Sequence, residues 1–457
     1  MILYEINTWV WLDELTRKHR RIITLADVPA EEWDAIAGWG FDSVWLMGVW
    51  ERSVVGAKIA REHPGLQAEF AAALPDLTVA DVVGSPYAVH RYVVDTHLGG
   101  PAALAVARGE LAARGMRMLL DFVPNHVAVD HPWTVNHPEY FVHEAGHIAN
   151  GRDPYFPPWT DTAQFNIFRA ETRQALEATL LGIAEQCDGV RCDMSILVLN
   201  DVFAKTWGEH PPATEFWRDI IPAVRAWHPE FTFLAEAYWD LEYTMQQLGF
   251  DYCYDKRLYD RLAHNDAASI RQHLSADLDY QRKLVRALEN HDEPRAAAVF
   301  PPDKLRAAAV AIATVPGAKL FHEGQFEGRR VKLPVQLARR VPEPIDVELE
   351  QYYHKVLNAA RALSGSWQLC ETTGWPDNQS HTNLLAWTWG GTIVVINYSP
   401  HPAQGRVKLA QTFSRPSCHL TDQLTAETFD RDSHELATQG LFVDLAPWHV
   451  HFLRFEK

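Results

Sequence analysis

Short apolar runs and longer amphipathic stretches alternate along roughly the first 325 residues of the chain. The apolar runs predict strands at 42–47, 117–123, 189–193, 231–236, 284–289 and 319–322. The stretches with apolar residues at helical spacing predict helices at 102–114, 172–186, 215–227 and 302–314. Regular alternation of strand and helix indicates a parallel sheet, and an array of this length favours a (β/α)8 TIM barrel. A doubly wound α/β sheet is the alternative, but no glycine-rich phosphate turn follows an early strand.

Two segments depart from this alternation. Residues 125–165, after the third barrel strand, are rich in Pro, His, Asp and Trp and lack periodicity, which is typical of a functional excursion from a barrel. Short β-prone runs at 384–389, 393–398, 406–409, 441–445 and 449–455 predict an all-β sandwich. We therefore expect a barrel formed by 1–124 and 166–364, a small insertion at 125–165 and a C-terminal β-sandwich domain at 365–457.

Composition excludes several classes of protein. No stretch reaches the about 18 consecutive apolar residues that a membrane span requires. The net charge of −17 and the lack of a basic run argue against a nucleic-acid partner, because such binding depends on neutralising phosphates. Five cysteines without a C-x-x-C pair fit neither a disulfide framework nor a zinc ribbon. The N-terminal residues resemble no export leader, so we expect a cytoplasmic protein; its oligomeric state stays open.

Polar side chains cluster where four of the predicted strands end. The first of these strands ends at Asp121, and the others lead to Asp193, to Glu236 and to Asp292. The carboxyl ends of barrel strands meet at one face, where the active sites of such barrels are assembled. One such strand end has little meaning, since a lone carboxylate is a loop cap or part of a surface ion pair as often as it is a catalytic group. Four of them predict a site.

The types of residue at these strand ends suit the cleavage of a glycosidic bond, which requires a proton donor and a second carboxylate. Arg191 precedes Asp193 by two residues and projects to the same side, so we expect it to lower the pKa of Asp193 and keep a nucleophile ionised. Glu236 has no cation among its sequence neighbours, and a less polar setting would raise its pKa and retain the proton. Asp292 would stabilise the positive charge that develops on the sugar.

These segments resemble the four short conserved regions of the α-amylase family, glycoside hydrolase family 13, in the family's order. They are 121–126 (DFVPNH), 189–193 (GVRCD), 234–236 (LAE) and 289–295 (ENHDEPR), with further matches at 84–87 (GSPY), 159–166 and 316–325. The resemblance covers nearly the whole chain. It implies a retaining α-glycosidase acting on short α-glucans or malto-oligosaccharides through a covalent glycosyl-aspartate intermediate. The implied catalytic residues are Asp193, Glu236 and Asp292, and the implied substrate-binding residues are Tyr87, His126, Arg191 and His291.

The second region departs from the family pattern. Many starch-degrading members carry a Lys-His pair that serves an acceptor subsite and a structural calcium, and this chain has Ile196 and Leu197 there. The resemblance requires no cofactor, and these two residues weaken the case for calcium. Separately, 143–147 (HEAGH) matches the H-E-x-x-H pattern of zinc proteases, but Gly146 lies inside it and Asn150 breaks the extended pattern. We interpret it as a coincidental loop sequence.

Three alternatives remain at this point. A transglycosylase would use the same covalent intermediate on the same scaffold and transfer glucosyl or maltosyl groups. A non-catalytic binding relative is disfavoured because all three carboxylates are intact. A zinc hydrolase at 143–147 would be sensitive to chelators.

Overall fold

The computed structural model describes residues 1–208 and 210–456 and contains a closed barrel of eight parallel strands. In chain order the strands are β1 (Ile2–Asn7), β2 (Ser43–Met47), β3 (Arg117–Phe122), β4 (Gly189–Cys192), β5 (Thr232–Ala235), β6 (Tyr252–Tyr254), β7 (Leu284–Arg286) and β8 (Ala318–His322). Neighbours in the barrel are neighbours in sequence, and β8 closes it by pairing with β1. The predicted (β/α)8 class is confirmed.

The inside of the barrel has a small apolar core of its own. Its fully buried members include Leu3, Trp45, Leu119, Leu234 and Leu320 from five different strands. Alternate residues of a strand face opposite sides, so the other side chains of these strands pack outward against the helices. Glu5, two residues after Leu3, shares the inward face of β1 and is fully buried.

The helices surround the barrel, connect its strands or lie in its excursions, except the last one, which lies between strands of the C-terminal sheets. They are Thr8–His19, Ala30–Gly38, Val54–Glu62, Pro64–Ala73, Gly100–Ala113, Trp133–Asn136, Ala170–Ala184, Asn200–Trp207, Phe216–Trp227, Glu242–Gln247, Lys256–His264, Ala267–Leu274, Leu278–Arg282, Ala296–Val299, Pro302–Thr314, Val347–Arg361 and Ser433–Thr438. The four predicted helices are confirmed to within two residues at each end. No helix in the described part of the chain is both long and apolar enough to cross a membrane.

Three excursions leave the barrel at its carboxyl-end rim. Between β2 and β3, the strands Trp50–Arg52 and Val89–Val94 pair and enclose the helices Val54–Glu62 and Pro64–Ala73. The insertion after β3 is held by pairing of His126–Ala128 with Thr162–Gln164, and it contains the short hairpin of His143–Glu144 and His147–Ile148. After β8, residues 323–346 form neither helix nor strand; we call them the strap.

The C-terminal part consists of two antiparallel sheets. The larger sheet contains, in spatial order, Trp367–Leu369, Leu384–Trp389, Thr392–Asn397, Val450–Phe455, Ser417–Asp422 and Thr428–Asp432. The smaller sheet contains Thr372–Thr373, Ala403–Val407 and Leu441–Leu445. The predicted all-β character is confirmed. The boundary at 365 stays a proposal, supported by the end of the last barrel helix at Arg361.

Candidate active site

The carboxyl ends of the strands surround a cleft of about 940 Å³. Five of the seven predicted site residues line it, namely Tyr87, His126, Asp193, Glu236 and Asp292. The other two, Arg191 and His291, are buried and contact the lining residues from behind. All seven therefore meet at one site, although they come from four strand ends and from the excursion after β2.

Arg191 is the fully buried cation at the centre of this site. Its Nη1 donates to Asp193 Oδ1 at 2.6 Å, and its Nη2 lies 2.7 Å from Glu236 Oε2. The rings of Trp45, Tyr87 and Tyr254 surround the guanidinium, with centroids 5.0 to 5.7 Å from Cζ. One guanidinium thus holds two carboxyl groups close to each other, and aromatic faces favour its charge.

The setting of Asp193 corrects one expectation from the sequence. Burial raises the pKa of the Asp193 carboxyl, and the attraction of Arg191 offsets this only in part. The expectation that Arg191 leaves this pKa below its usual value is therefore wrong. The side chain is only 8% exposed, so the loss of hydration outweighs one favourable ion pair.

Glu236 differs from its sequence-based description because Arg191, absent from its sequence neighbours, lies beside it. Burial nevertheless raises the pKa of Glu236 to about 7, and the neighbouring Asp193 also favours the protonated form. The Tyr238 hydroxyl donates to Oε1 at 2.9 Å and the Met194 amide donates to Oε2 at 2.6 Å. The carboxyl group is therefore held at both oxygens. Met194 adopts φ of +38° in this position, a conformation that L-residues adopt only at some cost.

His291 lies between two carboxylates and a phenol. Its Nδ1 is 2.5 Å from Glu5 Oε1, and its Nε2 is 3.0 Å from Asp292 Oδ2 and 2.7 Å from the Tyr87 oxygen. Burial alone would lower the pKa of His291, but Asp292 and Glu5 together raise it to about 10. Desolvation would raise the pKa of Asp292, but the charge and hydrogen bond of His291, together with Arg191 and Lys332, hold it well below its usual value. Sequence reasoning missed Glu5; its only signal is a charge inside an apolar N-terminal run.

His126 closes the cleft on the side of the insertion. Burial lowers its pKa to about 3, so the ring is neutral at physiological pH and can accept or donate one hydrogen bond. Trp159 packs against it, with ring centroids 5.1 Å apart. Asn125 and Gln164 exchange two side-chain hydrogen bonds behind it, each amide donating to the other. This pair fixes the start of the insertion, and hence the position of His126.

The two departures noted in the sequence have clear structural counterparts. Ile196 and Leu197 are buried in a 3₁₀ turn and offer no ligand, so a calcium ion at the family's usual position would lack this one. The segment 143–147 turns at Ala145 and Gly146, both with positive φ, and forms a hairpin. Its histidines therefore do not share the helical face that the zinc-protease pattern needs.

The eight-stranded barrel, the insertion after β3, the terminal β domain and the acidic strand ends together define the α-amylase class of fold. No family model matches the chain. It is 31% identical over 232 residues to the α-amylase MalA of Haloarcula japonica, a match that covers 48% of this chain and 32% of that protein. It is 26% identical over 234 residues to an α-1,4-glucan:maltose-1-phosphate maltosyltransferase of Arcanobacterium haemolyticum, covering 49% of this chain and 30% of that protein.

Solved structures match over the full length of the chain. The maltogenic α-amylase AmyB of Thermotoga neapolitana superposes with a TM-score of 0.74 at 18% identity, covering 100% of this chain and 99% of that one. The α-amylase of Geobacillus thermoleovorans, complexed with acarbose, gives 0.70 at 18% identity, covering 100% and 98%. At this identity the structural matches show the fold. Together with the curated relatives, they confirm the resemblance to the α-amylase family drawn from the motifs.

Proposed function

We propose that this protein is a retaining α-glycosidase that acts on α-glucosidic bonds of short α-glucans or malto-oligosaccharides. The observation that carries the proposal is the pairing of Asp193 and Glu236 on the two terminal nitrogens of Arg191, at the bottom of one cleft. A retaining mechanism needs a nucleophile and an acid close together on either side of the scissile bond. Here they differ in protonation, because Arg191 hydrogen-bonds Asp193 while burial raises the pKa of Glu236 to about 7.

The reaction has two steps on these residues. Asp193 attacks the anomeric carbon as Glu236 donates its proton to the glycosidic oxygen, so the C–O bond to the leaving sugar breaks and a glycosyl ester forms. Glu236, now ionised, then takes a proton from water, whose oxygen attacks the anomeric carbon and releases Asp193. Asp292 carries a persistent negative charge beside the site and stabilises the oxocarbenium character of both transition states.

The substrate sugar would lie against Tyr87, which has its hydroxyl fixed by His291. Aromatic faces suit the apolar faces of sugar rings, and the neutral His126 can hydrogen-bond a sugar hydroxyl group. His291, whose ring nitrogens contact Glu5, Asp292 and Tyr87, would act on the sugar through Asp292 and Tyr87. Arg191 would orient Asp193 and Glu236. The partner in this proposal is an α-glucan. A cytoplasmic location is part of the same proposal.

The roles of the two carboxyl groups can be separated with substrates that differ in their leaving group. Asp193→Asn and Glu236→Gln should each lower turnover of maltotriose or longer malto-oligosaccharides by about 10²- to 10⁴-fold. With α-glucosyl fluoride, whose leaving group needs no proton, Glu236→Gln should still form a glycosyl ester at position 193, visible by mass spectrometry. Asp193→Asn should form none.

The matched control for this experiment is Asp279→Asn, which changes an aspartate that is 85% exposed and lies outside the cleft. It should retain normal turnover. A normal rate in Asp193→Asn or Glu236→Gln would refute the role assigned to that residue.

A transglycosylase is the second candidate, favoured by matches to maltosyltransferases that cover about half of this chain. It would use the same ester and deliver the glycosyl group to a sugar hydroxyl in place of water. Because the chain spans about a third of the length of these relatives, their activity carries over only as a proposal. Adding maltose as an acceptor and resolving the products by chromatography decides between the two: elongated products indicate transfer, and glucose or maltose alone indicates hydrolysis.

A further inference from the structure

The position of the acid gives the cleft a direction. Glu236 protonates the leaving sugar, so the leaving side of the cleft is the side where Glu236, Tyr238 and Trp239 lie. The sugar that becomes attached to Asp193 lies on the opposite side, toward Tyr87. Whether the chain can continue beyond that sugar depends on what lies past Tyr87.

Three segments stand there side by side, and we call them the end wall. They are 53–57 at the start of a helix, 81–88 in the loop that carries Tyr87, and 331–341 in the strap. Ser85 and Ala88 from the loop and Gln336 from the strap line the cleft. The end wall is therefore the boundary of the cleft on this side.

The loop and the strap are joined by hydrogen bonds to their main-chain carbonyls. The buried Arg52 donates from Nη1 to the carbonyls of Gly84 and Val335, at 2.5 and 3.0 Å. Val83 N donates to Gln336 O at 2.9 Å. Since one guanidinium nitrogen binds both segments, they cannot separate without losing a buried interaction.

The helix start closes the remaining space between the loop and the insertion. Ser53 Oγ donates to Asp130 Oδ1 at 2.6 Å, which ties the helix to the insertion. A Cβ on Gly56 would lie 3.6 Å from Asp161 Cβ, and a Cβ on Gly84 would lie 3.1 Å from the Ala57 amide. The helix start therefore packs closely against the loop and the insertion where these elements meet.

The end wall packs on a hydrophobic cluster that it shares with the helices Val54–Glu62 and Pro64–Ala73. The buried members of this cluster are Ala60, Phe70, Ala73, Leu74, Val82 and Leu337, which come from both helices of the excursion, the loop and the strap. Arg339 adds ion pairs to Asp76 and Asp81. A wall packed in this way is a fixed part of the fold, in contrast to a lid held only by exposed contacts.

We propose that the cleft accepts only the non-reducing end of an α-glucan chain, so that the enzyme is exo-acting and removes short products from that end. The inference rests on the proposed function and specifies its substrate: a chain with a free non-reducing terminus. The polar side chains of Gln336 and Asp161, which line this end of the cleft, would face the terminal hydroxyl groups.

The experiment compares maltoheptaose with its derivative blocked at the non-reducing end by a 4,6-O-ethylidene group, the products being resolved by chromatography over time. The native enzyme should cleave the blocked derivative at least about 100-fold more slowly than maltoheptaose, and β-cyclodextrin, which has no end, should resist cleavage equally. Comparable rates on free and blocked substrates would overturn the inference and leave the glycosidase proposal intact. No cleavage of any of the three, with no ester from α-glucosyl fluoride, would refute both.

A variant of the end wall tests the cause. Gln336→Ala removes a side chain that lines this end of the cleft, so it should make room for part of the blocking group and raise the ratio of blocked to free cleavage by several-fold. The matched control is Gln67→Ala, which removes an exposed glutamine on the same excursion, outside the cleft, and should leave the ratio unchanged. An equal ratio in both variants would overturn the assignment of the closed end to this wall.

Discussion

At the residue scale, two carboxyl groups bind one guanidinium and yet need different protonation states. Asp193 and Glu236 are 8% and 5% exposed, and burial raises the pKa of both. Arg191 makes a hydrogen bond of 2.6 Å to Asp193, and two donors fix Glu236 at its oxygens. The acid thus retains its proton near neutral pH because it is buried among other carboxylates, and this cannot be read from its sequence neighbours.

The pH profile should follow from these shifts. In the proposed mechanism Glu236 acts as the protonated acid, so kcat/KM should fall as the pH rises through about 7. Asp193 acts when ionised, so kcat/KM should fall again at low pH, and this fall should begin above the usual pKa of an aspartate because burial raises it. Measuring kcat/KM on malto-oligosaccharides from pH 3 to 10 tests this bell shape. With Glu236→Gln and α-glucosyl fluoride, the alkaline fall should disappear; its persistence would assign that limb to another group.

Glu5 is a positioning residue that acts through His291. Because the pKa of His291 is raised to about 10, its ring is charged at neutral pH. The stability that this charge contributes is fully present below the unfolded pKa of about 6.5 and is lost as the pH rises through 10. In Glu5→Gln the pKa of His291 should fall, so the ring loses its charge at lower pH. We expect kcat/KM to decrease at least about tenfold, or about 1.4 kcal/mol, with a second alkaline limb, due to His291, appearing below pH 10 in addition to that of Glu236.

The control for Glu5 is Glu14→Gln, which removes a carboxylate that pairs with Arg329 and Arg340 away from His291. That variant should leave the shape of the pH profile unchanged. A uniform loss of activity at every pH in Glu5→Gln would indicate a purely structural role for Glu5.

The residues of the site were predictable to the extent that they follow apolar strands. Asp193 and Glu236 come directly after such a run, Asp292 follows another within four residues, and the structure places all three in one cleft. Glu5 interrupts its own strand, so the apolar pattern gives no warning of it. Tyr238 lies two residues after Glu236, and only its contact with the carboxyl group reveals a role.

At the scale of elements, the sequence predicted six of the eight barrel strands. Those six are continuous apolar runs because their strands are buried on both faces. It missed β1, in which polar Glu5 and Asn7 occupy inward positions, and β6, which has only three residues and two tyrosines. It also missed the excursion after β2 and the strap, since their packing joins residues about 250 positions apart and leaves no local period.

The local stability of the strap should depend on its buried leucine, Leu337. Leu337 is fully buried between the strap and the helix Pro64–Ala73, so Leu337→Ala should cost about 2–5 kcal/mol. Because the barrel core is untouched, we expect the effect as faster amide hydrogen exchange across 331–341. The control is Val79→Ala, whose side chain is 71% exposed and should cost less than about 0.5 kcal/mol. Unchanged exchange in Leu337→Ala would contradict the anchoring of the strap.

At the scale of the whole molecule, the larger C-terminal sheet packs on the barrel and shares its core. Trp387 is fully buried and donates from Nε1 to Thr314 Oγ1 at 3.2 Å, and Trp389 donates to Thr314 O at 2.6 Å. Tyr398 donates its hydroxyl to Leu262 O at 2.6 Å. These contacts join the sheet to the barrel helices Pro302–Thr314 and Lys256–His264.

Trp387→Ala should therefore destabilise barrel and sheet together. Truncating a buried tryptophan costs about 3–5 kcal/mol, and urea unfolding followed by circular dichroism should show the loss. Trp375→Ala provides the matched control, since Trp375 lies in the turn after the smaller-sheet strand Thr372–Thr373, is only partly buried and packs edge-on to the exposed Phe442. Equal midpoints for both variants would mean that the interface contributes little to stability.

The end wall also has a consequence for polymeric substrates. An enzyme that trims termini leaves the interior of each strand intact, so the mean degree of polymerisation declines slowly while reducing sugar accumulates. A gelatinised starch paste treated with this protein would keep its viscosity long after an endo-cleaving amylase had thinned it. A packed hydrophobic cluster of a few side chains on the rim of the barrel would thus set a bulk rheological property of the reaction mixture.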